Sequence, residues 1–118
     1  MAMTTKQLGE RVRFIVRNLG YPPGQVYRVQ VNDDTPDHWK RAVLFDVDVD
    51  LDKDGEHGVV EQFRFTMHEY GLGARKFRRI VHRRLCRALE RAIERLLPAA
   101  AGYKQAVAHL KNLKKLNI

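Results

Sequence analysis

Apolar residues recur at helical spacing over residues 5–19, TKQLGERVRFIVRNL, where Leu8, Val12, Ile15 and Leu19 share one stripe. Thr4 or Thr5 supplies an N-cap, and Gly20 with Pro22-Pro23 closes the segment. The period then changes from about 3.6 to 2. QVYRVQVN alternates Tyr27, Val29 and Val31 with polar residues. RAVLFDVDVDL alternates Val43, Phe45, Val47, Val49 and Leu51 with Asp46, Asp48 and Asp50. EQFRFTMHEY alternates Phe63, Phe65 and Met67 with Gln62, Arg64 and Thr66. Such alternation predicts strands with one buried and one wet face, and it sets the strand-2 aspartates beside arginines of the neighbouring strands. After GLG (71–73) the helical period returns. Phe77, Ile80, Val81, Leu85, Ala88, Leu89, Ala92, Ile93 and Leu96 form one stripe, which Pro98 stops. Residues 103–116 predict a shorter helix with Tyr103, Val107, Leu110, Leu113 and Leu116 roughly aligned.

The predicted fold class is therefore α+β, in the order α-β-β-β-α-α: a three-stranded antiparallel sheet with helices packed on one face. Residues 4–97 form the predicted domain and residues 98–118 a C-terminal helical extension. A chain of 118 residues supports one modest core, and no internal repeat or low-complexity segment interrupts it.

Charge changes this picture. The formal net charge is +8, from 22 Lys and Arg against 14 Asp and Glu. Most of the excess lies in the long helix, where nine basic residues stand against Glu90 and Glu94. Arg75, Lys76, Arg78, Arg79, Arg83 and Arg84 fill its first half with no acid among them. Like charges at i, i+4 repel by a few tenths of a kcal/mol each, so this run implies an anion opposite. In the second half the pairs Arg87–Glu90 and Arg91–Glu94 are spaced to neutralise each other. Nucleic acid is the first polyanion to consider, and an acidic protein the next. The glycines of GLG would let backbone N–H groups approach a phosphate at the start of the helix.

Other chemistry recedes on inspection. DLDKDGEHGVVE (50–61) places Asp50, Asp52, Asp54, Gly55 and Glu61 on positions 1, 3, 5, 6 and 12 of an EF-hand loop. That loop needs helices on both sides, whereas here the pattern predicts strands, with His57 where an aliphatic residue belongs. Asp54-Gly55 as a hairpin turn accounts for the same letters. His38, His57, His68, His82 and His109 are scattered, with no metal-ligand spacing, CxxC or phosphate-cradling loop. No catalysis and no cofactor is expected. The single cysteine, Cys86, rules out an intrachain disulfide and fits a reducing cytoplasm. No apolar run approaches a membrane span.

Pro22-Pro23 and Tyr27 before the first strand, TPDHWKR (35–41) between the first two strands, and GLGARK (71–76) opening the long helix carry a resemblance. Together, over about residues 8–89, they resemble the double-stranded RNA-binding domain family. Its counterparts are a Gly-Pro-x-His loop and a Gly-x-Gly-x-Ser-Lys-Lys-like helix start; Thr35 and Ala74 stand where it has Gly and Ser. The resemblance implies an α-β-β-β-α fold that reads duplex RNA by shape. It implies that His38 and its loop neighbours, Lys40 among them, reach a minor groove. Gln7 and Arg11 of the first helix would reach another minor groove, and Arg75, Lys76, Arg78, Arg79 and Arg83 would bind phosphates. Separately, RRIVH (78–82) is similar to the Arg-x-x-x-His motif of a family of small single-strand-binding domains. The expectation is a cytoplasmic, non-catalytic nucleic-acid-binding protein, with RNA favoured over DNA and no membrane partner. The alternative is a protein-interaction module (an inhibitor, adaptor or homodimer) that docks through the acidic hairpin and basic helix.

Overall fold

A computed structural model describes residues 4–19, 27–31, 42–50, 58–96 and 102–116. In chain order these form α1 (Thr5–Asn18), β1 (Tyr27–Val31), β2 (Ala42–Asp50), β3 (Gly58–Thr66), α2 (Met67–Tyr70), α3 (Ala74–Arg95) and α4 (Tyr103–Lys115). Thr4 is the cap of α1: its hydroxyl accepts from Gln7 N at 3.1 Å, and Gln7 Oε1 accepts from Thr4 N at 2.9 Å. This reciprocal box satisfies two N–H groups that the helix itself cannot.

The strands pair antiparallel in the order β1-β2-β3. Register runs from Tyr27↔Val49 to Val31↔Phe45 on one side of β2, and from Ala42↔Thr66 to Asp50↔Gly58 on the other. Asp48 falls opposite Arg28, one of the aspartate–arginine neighbours that the alternation implies. Asp50 closes β2 and Gly58 opens β3, so strands flank the acidic segment; its residues 51–57 lie outside the described residues. Glu61, the would-be last ligand of a calcium loop, sits within β3 and pairs with Arg95 at 2.7 Å.

The core joins Leu8, Val12, Val16 and Leu19 of the α1 segment to Val43, Val47 and Phe65 of the sheet and to Phe77, Val81, Leu85 and Leu89 of α3. Phe65 sits edge-to-face against Phe63 and Phe77, with centroids 5.4 and 5.8 Å away, and Tyr70 meets Phe77 in the same way at 5.2 Å. Such contacts add to the area that the rings bury.

The expected plan, a three-stranded sheet with its helices packed on one face in the order α-β-β-β-α-α, is corrected. Among the described residues helix dominates: helices of 14, 4, 22 and 13 residues outweigh strands of 5, 9 and 9. α1 and α3 pack on the sheet, but α4 packs chiefly on α3. Its buried residues are Ala106, His109 and Leu113, whereas Val107 and Leu116 of the expected stripe are exposed. A further helix, α2, takes Met67–Tyr70 out of the third strand. Thr66-x-x-Glu69 is a capping box, in which Glu69 N donates to Thr66 Oγ1 at 3.1 Å and Thr66 N to Glu69 Oε1 at 2.9 Å. That local pair of bonds ends the strand where the alternation alone would run on.

Candidate nucleic-acid interface

α3 starts on a glycine for a backbone reason. Gly73, its N-cap, has φ 111° and ψ 153°, a conformation almost confined to glycine, so the chain can turn sharply from α2 into α3 there. Gly73 supplies no side chain to cap the helix, and the first turn holds no acidic residue. The positive end of the helix dipole is thus joined by Arg75 and Lys76, both exposed, with exposed Arg78, Arg79 and Arg83 following. None of these five has an ion-pair partner among the described residues.

Among the described residues, three acids pair with other cations. Glu69 takes the guanidinium of Arg84 in a fork: Nη1 donates to Oε1 at 2.7 Å and Nη2 to Oε2, while Nη1 also reaches the Arg64 carbonyl at 2.7 Å. The same guanidinium lies over the Phe65 ring, 5.3 Å from its centroid. The hydrogen bonds from Arg84 hold the Glu69 carboxyl below its ordinary range, against the opposing effect of burial. Glu61 takes Arg95. Glu90 pairs with Lys114 of α4 at 3.0 Å rather than with Arg87, which corrects the expected i, i+3 pairing. Arg84, indistinguishable from its neighbours in the sequence run, is thereby part of the fold.

The C-terminal turn of α4 meets the middle of α3. His82 donates its Nε2–H to the Leu113 carbonyl at 2.7 Å, satisfying one of the carbonyls that a helix end leaves over. Cys86 Sγ lies 3.8 Å from the same nitrogen, and burial pushes its thiol pKa up, which does not favour a reactive thiolate. Arg79, His82, Arg83, Cys86, Arg87 and Glu90 line a pocket of about 350 Å³ along this flank of α3. Lys111, Lys114 and Lys115 are exposed near the same end of α4, and Lys114 reaches α3 through its pair with Glu90. Neither Arg87 nor these lysines stands among the contacts that the sequence implies. LKNLKK does signal a basic helix end, but only the packing of α4 on α3 brings it here.

Of the other expected contacts, Arg11 is exposed on α1, and Gln7 is exposed with its amide oxygen engaged in the capping box. His38 and Lys40, with the whole TPDHWKR segment and Trp39, lie outside the described residues. His109 is buried between helices; burial lowers its pKa to about 4 despite a hydrogen bond to the backbone of Leu19. Among the described residues no group of three His, Cys, Asp or Glu could hold a metal ion, and no helix is long and apolar enough to cross a membrane. No family model, curated protein or solved structure matches the chain.

Proposed function

We propose that the chain is a non-catalytic, cytoplasmic nucleic-acid-binding protein that grips phosphates with the N-terminal half of α3. The carrying observation is the separation of charges. Arg84 and Arg95 have carboxylate partners, while Arg75, Lys76, Arg78, Arg79 and Arg83 are exposed and have none among the described residues. Cations held at 1.5 Å of rise per residue on a rigid helix suit a regular phosphate array better than a scattered surface would. RNA is favoured over DNA on the resemblance of GLGARK to a phosphate-binding helix start.

The test is a fluorescence-anisotropy titration with short duplex RNA, duplex DNA and single strands at two salt concentrations. Binding should weaken steeply with salt, with a log–log slope of about −0.9 per phosphate neutralised. Absence of binding to every probe at low salt would end this reading.

A second reading, docking of a protein partner or a second copy, is favoured by Phe14, which is 64% exposed on α1. It expects concentration-dependent self-association or a defined partner, lost in Phe14→Ser while nucleic-acid affinity persists.

A further inference from the structure

The pocket on the outer flank of α3 differs from an open basic surface in how its polar groups are matched. Arg79, Arg83 and Arg87 stand at i, i+4 and i+8, so about 6 Å of rise separates each from the next along one flank. The acceptors beside them are already served. The Leu113 carbonyl takes the Nε2–H of His82, and the Glu90 carboxylate takes the ammonium of Lys114. The three guanidiniums have no carboxylate within ion-pair distance among the described residues. Each offers up to five N–H donors on a long, flexible stem. The pocket therefore holds a surplus of donors and of positive charge in about 350 Å³, a volume in the range of small-ligand sites.

A phosphodiester in a strand brings one charge and two unesterified oxygens. A phosphomonoester brings nearly two charges and three terminal oxygens, enough to engage several guanidinium forks at once. We propose that this pocket binds a phosphomonoester, the terminal phosphate of a nucleic-acid strand or of a free nucleotide. For the strand-end source this rests on the nucleic-acid reading above; the free-nucleotide source stands without it. Arg79 and Arg83 serve both the phosphate-gripping half of α3 and the pocket, whereas Arg87 belongs to the pocket alone.

The experiment compares three RNA oligonucleotides of one sequence by anisotropy, with a 5′-phosphate, a 3′-phosphate or hydroxyl ends. Calorimetry with a nucleoside 5′-monophosphate and with the nucleoside runs beside it. All are repeated with Arg87→Gln and with Arg87→Lys, each checked by circular dichroism; the lysine variant keeps the charge and a fold close to the parent. A phosphorylated end should bind at least tenfold tighter than the hydroxyl form. Arg87→Gln should bring that ratio to within twofold of one, and Arg87→Lys should leave it between the two. Arg87-dependent binding of the nucleotide, but not the nucleoside, in calorimetry assigns the pocket to both sources, and its absence beside an end-phosphate preference assigns the pocket to the strand end.

Equal affinity for all three RNAs with no nucleotide binding would overturn the pocket and leave the α3 reading intact. A phosphate preference untouched by Arg87→Gln would overturn it too. No RNA binding, with Arg87-dependent nucleotide binding, would overturn the α3 reading and keep the pocket.

Discussion

Two flanks of the same helix treat the same residue type in opposite ways. Toward the sheet, Arg84 and Arg95 meet carboxylates from α2 and β3 and become part of the structure. Away from it, Arg79, Arg83 and Arg87 border a pocket where the neighbouring acid, Glu90, is already paired with α4. Whether an arginine is tied into the fold or left without an ion-pair partner among the described residues is decided by which carboxylate the tertiary structure brings to it. A charge run in the sequence marks the helix as basic but does not say which of its members remain to bind.

The largest effect that would break this contrast lies on the outer side. Lys76→Glu with Arg79→Glu should weaken RNA binding on the order of a thousand-fold, since it both removes phosphate contacts and adds repulsion. The melting temperature should move by only a few degrees, because both side chains are exposed. Anisotropy and thermal melts measured together decide it: a protein that still binds places the site elsewhere.

Acid should act next, through the helix that borders the pocket. His109 is neutral in the fold, with its pKa near 4, and regains its ordinary value near 6.5 on unfolding. Between those values only the unfolded chain takes the proton, so stability present above pH 6.5 falls as pH drops and levels off below about 4. The shift corresponds to a loss on the order of 3 kcal/mol. Glu69, with a lowered pKa, adds a further loss in the same direction as pH falls below its unfolded value of 4.5. Urea unfolding as a function of pH should show this slope, and His109→Gln should flatten the part above pH 4.5.

On the inner side, Arg84→Ala should destabilise the fold by about 1–2 kcal/mol. Charge-assisted hydrogen bonds are worth about 1.5–3, and the side chain is 35% exposed, which reduces that figure. RNA affinity should change less than threefold. A binding loss as large as that of the outer variant would erase the distinction between the flanks. Smallest of all, Arg95→Ala should cost under about 0.5 kcal/mol, because its side chain is 57% exposed and surface pairs contribute little.

The helices and strands were legible wherever one period ran unbroken. Leu8 and Val12 of α1, Leu19 at its C-cap, and Phe77, Val81, Leu85 and Leu89 of α3 are buried as their spacing implies. Legibility ended where a short-range bond or a distant partner intervened. At Thr66-x-x-Glu69 a capping box overrode the strand period that Met67 continued. In α4 the buried stripe includes His109, a residue that pattern reading assigns to the wet face, and this turned the helix away from the expected alignment. The partners of Arg84 and Arg95 lie 15 and 34 residues away in the chain, beyond any local spacing rule. The candidate site was legible only as a charge run, while its division into ion-paired and unpaired arginines depended on tertiary contacts.

Glu69 accepts from Thr66 N, Thr66 Oγ1 and both terminal nitrogens of Arg84, so one carboxylate fastens the end of the sheet, the short helix and the long helix at a single point. It works as a pivot pin. With the Glu61–Arg95 pair farther along, it sets how α3 lies against the sheet, and with that the bearing of the outward cations, although it touches none of their charges.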